Sequence, residues 1–259
     1  SNMDATILYE MLHCLVCMVL ACWLIQKTLH VPGYPALYAV TVAVVCLFLG
    51  DVYWLAHLMI RGSTPVILSA CDAAYLGFWL ILNAGLPRAA QPEKSSKAFA
   101  ALMGVFILLN CIGWMVWTSS WFINLLWAIP LMLIAVRSAL RTKVDLSSRT
   151  FALYALLLGA LMVAETFAFL LPAVHWEKVK LICSLVWLLS LVQFIRLLKG
   201  KGTLAQLAMP GRVLILVYCE CASFLCTGVA YNVFQLLMLG FLAYFARSVS
   251  KEGEACHAL

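Results

Sequence analysis

Four acidic side chains lie well inside long apolar runs: Asp51, Asp72, Glu165 and Glu220. Placing a carboxylate at the centre of a membrane-spanning run costs on the order of 2.5–3.5 kcal/mol even on a lenient insertion scale. Such a group turns toward protein, trapped water or a ligand. Helical spacing sets aromatic and amide groups beside these acids. Asp72, Tyr75 and Trp79 recur at i, i+3 and i+7, Asn110 and Trp114 at i and i+4, and Trp54 follows Asp51 by three. An apolar wall with a few convergent polar groups is the make-up of a small-molecule pocket. The candidate ligand-binding set is therefore Asp51, Trp54, Asp72, Tyr75, Trp79, Asn110, Trp114, Glu165 and Glu220. Two plainer assignments compete with it. Outer-end tryptophans such as Trp117 and Trp121 suit an interfacial belt, and a neutral carboxyl can serve simply as a hydrogen-bonded link between helices. His13 follows Glu10 by three and is spaced to pair with it, whereas His57 lies six residues from Asp51, off its helical face.

The elements carrying these residues follow from composition. The chain is 65% hydrophobic and only 11% charged, with mean hydropathy +1.02, whereas a soluble domain is about 25% charged. Apolar runs near the ~20 residues needed to cross a ~30 Å hydrocarbon layer recur from end to end. The expected fold is all-α, a polytopic membrane protein of about nine transmembrane helices. The spans fall at 7–26, 35–60, 65–86, 98–117, 119–137, 150–172, 179–197, 211–229 and 231–247. The whole chain, 1–259, reads as one transmembrane domain with a short tail over 248–259. Ser1-Asn2 ahead of Met3 reads as a tag remnant. Asp4 and Glu10 flank the first run where a cleavable signal peptide would be basic.

Charge placement sets the expected topology. With nine spans, fourteen Lys and Arg fall on one side of the membrane, and only Arg61, Lys178 and Lys180 on the other. Short cytoplasmic loops attract basic residues, so the N-terminus is expected outside and the C-terminus in the cytoplasm. The net charge of +6 is thereby assigned to loops at a membrane surface, which excludes a nucleic-acid partner. Basic loops suit anionic lipid headgroups at about 1 kcal/mol per residue near the surface.

After the first span the chain reads as four hairpins, 35–86, 98–137, 150–197 and 211–247, whose rising helices carry Asp51, Asn110, Glu165 and Glu220. This is a weak internal repeat. At ~1.5 Å per residue, Asp51 stands about 24 Å above the cytoplasmic start of its helix, Glu165 about 22 Å, and Asp72 about 10 Å below the outer turn. An acidic cavity open to the outside is the expected arrangement.

Absences narrow the chemistry. No lysine lies in the interior of a span, Lys180 standing at the outer edge of its own, and the chain has no His-Glu-x-x-His motif, no Gly-x-Ser-x-Gly elbow and no phosphate-binding glycine loop. Nearly all of the eleven cysteines sit in apolar runs, where a free thiol behaves as a small hydrophobe. Cys14-x-x-Cys17 and Cys219-x-Cys221 are too short of neighbouring ligands in sequence to read as zinc motifs. No metal or cofactor is expected.

One hairpin carries a resemblance. Asp51-x-Tyr53-Trp54, Arg61-Gly62, Pro65, Ser69-x-x-Asp72-x-x-Tyr75-Leu76 and Gly85-Leu86 resemble a hairpin of the multi-helix membrane sensor modules that precede bacterial diguanylate cyclase and histidine kinase domains. Ala128-Ile129-Pro130 to Arg137 and Leu158-Gly159-Ala160 to Glu165 lie where those modules have further helices. The resemblance implies a bacterial inner-membrane module that binds a small or amphiphilic ligand and signals to a cytoplasmic partner. Gly50-Asp51 and Gly159-Ala160-Leu161 with Ala164-Glu165 are also similar to the lysoplasmalogenase-like membrane hydrolases. That likeness implies Asp51 and Glu165 as an acid–base pair acting on a lysolipid. A small-solute transporter is a third class, which would need access from both faces.

Overall fold

The computed structural model describes residues 2–66, 69–85 and 228–258, with positions 101, 215, 216, 219, 220 and 223. Among these residues all regular structure is helical: α1 (Asn2–His30), α2 (Pro35–Arg61), α3 (Ala70–Gly85) and α4 (Val229–His257). Three helices, Asp4–His30, Pro35–Arg61 and Val229–His257, are long and apolar enough to cross a membrane. The chain divides into two compact units, residues 1–87 with 242–259, and 88–241.

The surface of the first unit carries the membrane signature. In α1 the buried stripe is His13, Cys17, Leu20, Ala21, Leu24 and Thr28, while Leu8, Leu12, Leu15, Val19 and Leu29 face outward. A soluble helix hides its apolar side and shows its polar one. Here polar groups are inside and large apolar ones outside, the pattern suited to a helix solvated by lipid.

α1 and α2 run antiparallel around a short turn at Val31–Tyr34. Gly33 occupies the left-handed region there, at φ 89°, and Pro35 opens α2 at a position where its missing N–H is not needed. Farther along the pair, the Thr28 and Thr41 hydroxyls stand 2.7 Å apart across the interface. One donates to the other, and the acceptor's hydrogen returns to its own helix, at Leu24 or Leu37 C=O. α2 ends at Gly62, left-handed at φ 66°, whose N–H donates to Leu58 C=O at 2.9 Å.

Small residues let α2 and α3 approach closely. A Cβ on Gly50 would lie 2.6 Å from the Tyr75 ring, one on Gly77 would meet Cys46, and one on Gly85 would collide with Ala39. These pairs run in opposite order along the two helices, as an antiparallel hairpin requires. Phe78 and Trp79 are fully buried and meet edge to face, centroids 4.8 Å apart.

The last helix starts just after Gly228, left-handed at φ 62°, which falls at the break expected near 228–232. It continues past Arg247 to His257 rather than stopping at 247. That extension brings the tail against the α1–α2 turn. Lys27 Nζ donates to Glu254 Oε1 at 2.6 Å, and a Cβ on Gly253 would sit 2.8 Å from the Tyr34 ring. The Lys27 ammonium holds the exposed Glu254 carboxyl below its ordinary range.

Two further boundaries differ from expectation. α1 begins at Asn2 and ends at His30 rather than running from 7 to 26. α3 begins at Ala70 rather than 65, because residues 63–66 and 69 carry no helix. The spans expected at 98–117, 119–137, 150–172 and 179–197, and most of 211–229, lie outside the described residues.

Gly50→Ala is expected to destabilise the protein by about 1–3 kcal/mol, since the Tyr75 ring it strikes is tethered and has little room to retreat. Gly240→Ala, with nothing within 4 Å of its Cβ, is expected to leave the unfolding midpoint unchanged or slightly raised. Thermal unfolding in detergent, followed by tryptophan fluorescence, compares the two; equal midpoints would mean the α2–α3 approach is not tight.

Candidate functional site

Asp51 is 3% exposed and sits where three helices meet. Both of its carboxylate oxygens are engaged. His13 Nδ1, on α1, donates to Oδ2 at 2.6 Å, and the Tyr75 hydroxyl, on α3, donates to Oδ1 at 2.9 Å. Charge-assisted bonds of this length are the strong class. Gly50 makes the second one possible, because any side chain beside Asp51 at that position would displace the Tyr75 ring.

Cys17 lies one turn after His13 on the same face of α1, and its Sγ is 3.9 Å from the same Nδ1. His13, Cys17 and Asp51 are all buried, and their ligand atoms lie within 4.8 Å of one another. A nucleophilic Cys-His-Asp relay needs the thiol and the carboxylate on opposite ring nitrogens. Here both converge on Nδ1, so the cluster is not arranged for thiol attack. Glu10 stands one turn before His13 on the same helix. The Tyr9 ring also approaches the imidazole, centroids 6.0 Å apart and tilted.

Of the nine candidate residues, Asp51 and Tyr75 are brought into direct contact. Trp79 is buried against Phe78, and Trp54 is half-buried one turn beyond Asp51. Asp72 lies in the first turn of α3, where its Oδ2 accepts from the Ser69 N–H at 3.2 Å. It thus closes half of a capping box and places negative charge at a helix start. The helix starts at Ala70 rather than 65, so Asp72 stands two residues into α3 rather than seven.

Glu220, in the other unit, accepts from Gln235 Nε2 at 3.1 Å. The same amide donates to Ser223 Oγ at 2.8 Å, and that hydroxyl donates to the Glu220 C=O at 2.7 Å. All three residues are buried. Asn110, Trp114 and Glu165 lie outside the described residues.

Two members of the cluster carry little local signal in the sequence. His13 faces Glu10 electrostatically, as its spacing implies, and also bonds to Asp51 thirty-eight residues away. Cys17 was expected as a hydrophobe; the i, i+4 spacing from His13 was the only clue to a shared face. His57 serves the backbone, its Nδ1 donating to the Ser63 C=O at 2.9 Å just beyond the end of α2.

Comparison of the chain with protein-family profiles, curated proteins and solved structures finds no match.

Tyr75→Phe is expected to cost about 1–2 kcal/mol, above the ~0.6 kcal/mol average for hydrogen bonds between membrane helices because the acceptor is a buried carboxylate. In an Asp51→Ala background the same change is expected to cost almost nothing. A double-mutant cycle by reversible unfolding tests this, and equal costs in both backgrounds would remove the bond from the account of the site.

Proposed function

We propose that this chain is a membrane-embedded sensory module, seated in a bacterial inner membrane, whose ligand acts at the Asp51 cluster. The observation carrying this reading is that a single buried carboxylate ties α1, α2 and α3 together through His13 and Tyr75. A ligand that takes over either bond would release the helix it ties, since the two oxygens of Asp51 hold donors from two different helices. α1 then supplies a path to the cytoplasmic side. From His13 to Lys27 is fourteen residues, about 21 Å of continuous helix, and Lys27 holds the tail through Glu254. A shift of α1 at one end would alter tail docking at the other, where a cytoplasmic partner could read it.

The lysolipid hydrolase reading uses Asp51 differently, as a carboxylate that meets water. Two short hydrogen bonds to Asp51 suit a link that changes partners better than they suit a general base waiting for substrate.

Zero-length carbodiimide crosslinking of Lys27 to Glu254, quantified by peptide mass spectrometry, reads tail docking directly. Asp51→Asn is expected to change the crosslink yield severalfold although the substitution lies on α2, beside His13 and far along α1 from Lys27. An unchanged yield, with the protein still folded, would sink the sensory reading. Lysolipid turnover abolished by the same substitution would replace it with the hydrolase.

A further inference from the structure

We infer that His13, Cys17 and Asp51 form a binding site for a divalent transition-metal ion of the zinc class. As the ion's role would be to act as the module's input, that role rests on the sensory reading; the binding site rests on geometry alone.

Three donors of three kinds, an imidazole nitrogen, a thiol sulfur and a carboxylate oxygen, lie within 4.8 Å of one another. Tetrahedral zinc takes N and O ligands at about 2.0–2.2 Å and S at about 2.3 Å, so neighbouring ligand atoms stand about 3.3–3.7 Å apart. The Cys17 Sγ to His13 Nδ1 separation of 3.9 Å has to close by only a few tenths of an ångström to reach that span. The His13–Asp51 contact of 2.6 Å has to open by under an ångström. His13 and Cys17 share one face of a rigid helix at i and i+4, and Asp51 enters from the neighbouring helix.

The surroundings favour this ion over harder ones. Calcium and magnesium take six or more oxygens, whereas thiolate with imidazole suits zinc and its neighbours. Tyr75 bonds to the Asp51 oxygen that faces away from His13, and such outer hydrogen bonds orient metal-binding carboxylates. Charge also balances. A thiolate and a carboxylate together cancel the two positive charges of the ion, leaving a neutral assembly where an unbalanced charge is costly. Binding expels the Cys17 thiol proton, and Nδ1 gives up the hydrogen it shares with Asp51, so apparent affinity falls on acidification. The three ligands leave a fourth position, as zinc sites that exchange ligands do.

The test uses Co²⁺ as an optical probe on the full chain purified in detergent. A thiolate-to-cobalt charge-transfer band with intense visible absorption is expected at one ion per chain, and zinc should abolish it by displacement. Cys17→Ser, a near-isosteric change, is expected to remove the band, while Cys22→Ser, at an exposed position on the same helix, leaves it intact. Absence of the band in folded protein overturns the site, as does a band lost in Cys22→Ser but kept in Cys17→Ser. Carbodiimide crosslinking of Lys27 to Glu254 with and without zinc separates site from role. A cobalt band without any change in crosslinking upholds the metal site and overturns the sensory reading, and an altered yield upholds both.

Discussion

A carboxylate held out of water must have its charge answered, and in the first unit of this protein that requirement falls on Asp51. Its two oxygens are satisfied from two different helices, by His13 of α1 and Tyr75 of α3. Because each bond is short and directional, together they fix the register of three helices at one level. A slip of α1 by a turn would carry His13 about 5 Å along the axis, well beyond hydrogen-bond reach. A buried charge left alone by such a slip costs several kcal/mol. The same residue that makes the helices hard to bury in lipid makes their arrangement unique.

Polar bonds carry this weight because the usual driving force is missing. Between helices already solvated by lipid, burying one leucine against another gains little, and association depends on close packing and hydrogen bonds. Both are present here. Between α2 and α3, Gly50, Gly77 and Gly85 allow the backbones to approach. Between α1 and α2, where no glycine intervenes, the His13–Asp51 and Thr28–Thr41 pairs pin the two ends of the interface. The Glu220, Ser223 and Gln235 group in the second unit solves the same problem with an amide as donor.

Much of this was legible in the sequence, and the misses have physical causes. Asp51 stands out because a charge in an apolar run is costly, and Tyr75 because aromatic spacing recurs around the acids. The class, helical and apolar enough to cross a membrane, follows from run length. What periodicity cannot see is which distant helix a side chain meets. Spacing therefore shows Glu10 beside His13 but not Asp51, and shows Cys17 as a small buried hydrophobe but not its approach to the imidazole. Asp72 depended on where α3 begins. Thr64-Pro65 looked like the last turn residues before a continuous apolar run, but the helix starts only after Ser69, whose N–H is then capped by Asp72. A five-residue shift of a boundary changes the residue from a buried charge to a helix cap.

The position of the cluster along α1 bears on how a signal could leave it. His13 and Lys27 lie on one unbroken helix, and Thr28 fixes that helix to α2 immediately beside Lys27. A rigid-body shift of α1 would strain the Thr28–Thr41 contact, whereas a rotation about that contact would not. Rotation moves the His13 end most and the Lys27 end least in position. It still changes the direction in which the Lys27 side chain leaves the helix, and with it the geometry of the bond to Glu254. An exposed ion pair contributes little to stability, so this tail contact is cheap to break and re-form. That is the property the proposed readout would need, because a small free-energy difference at the Asp51 cluster could then shift its population.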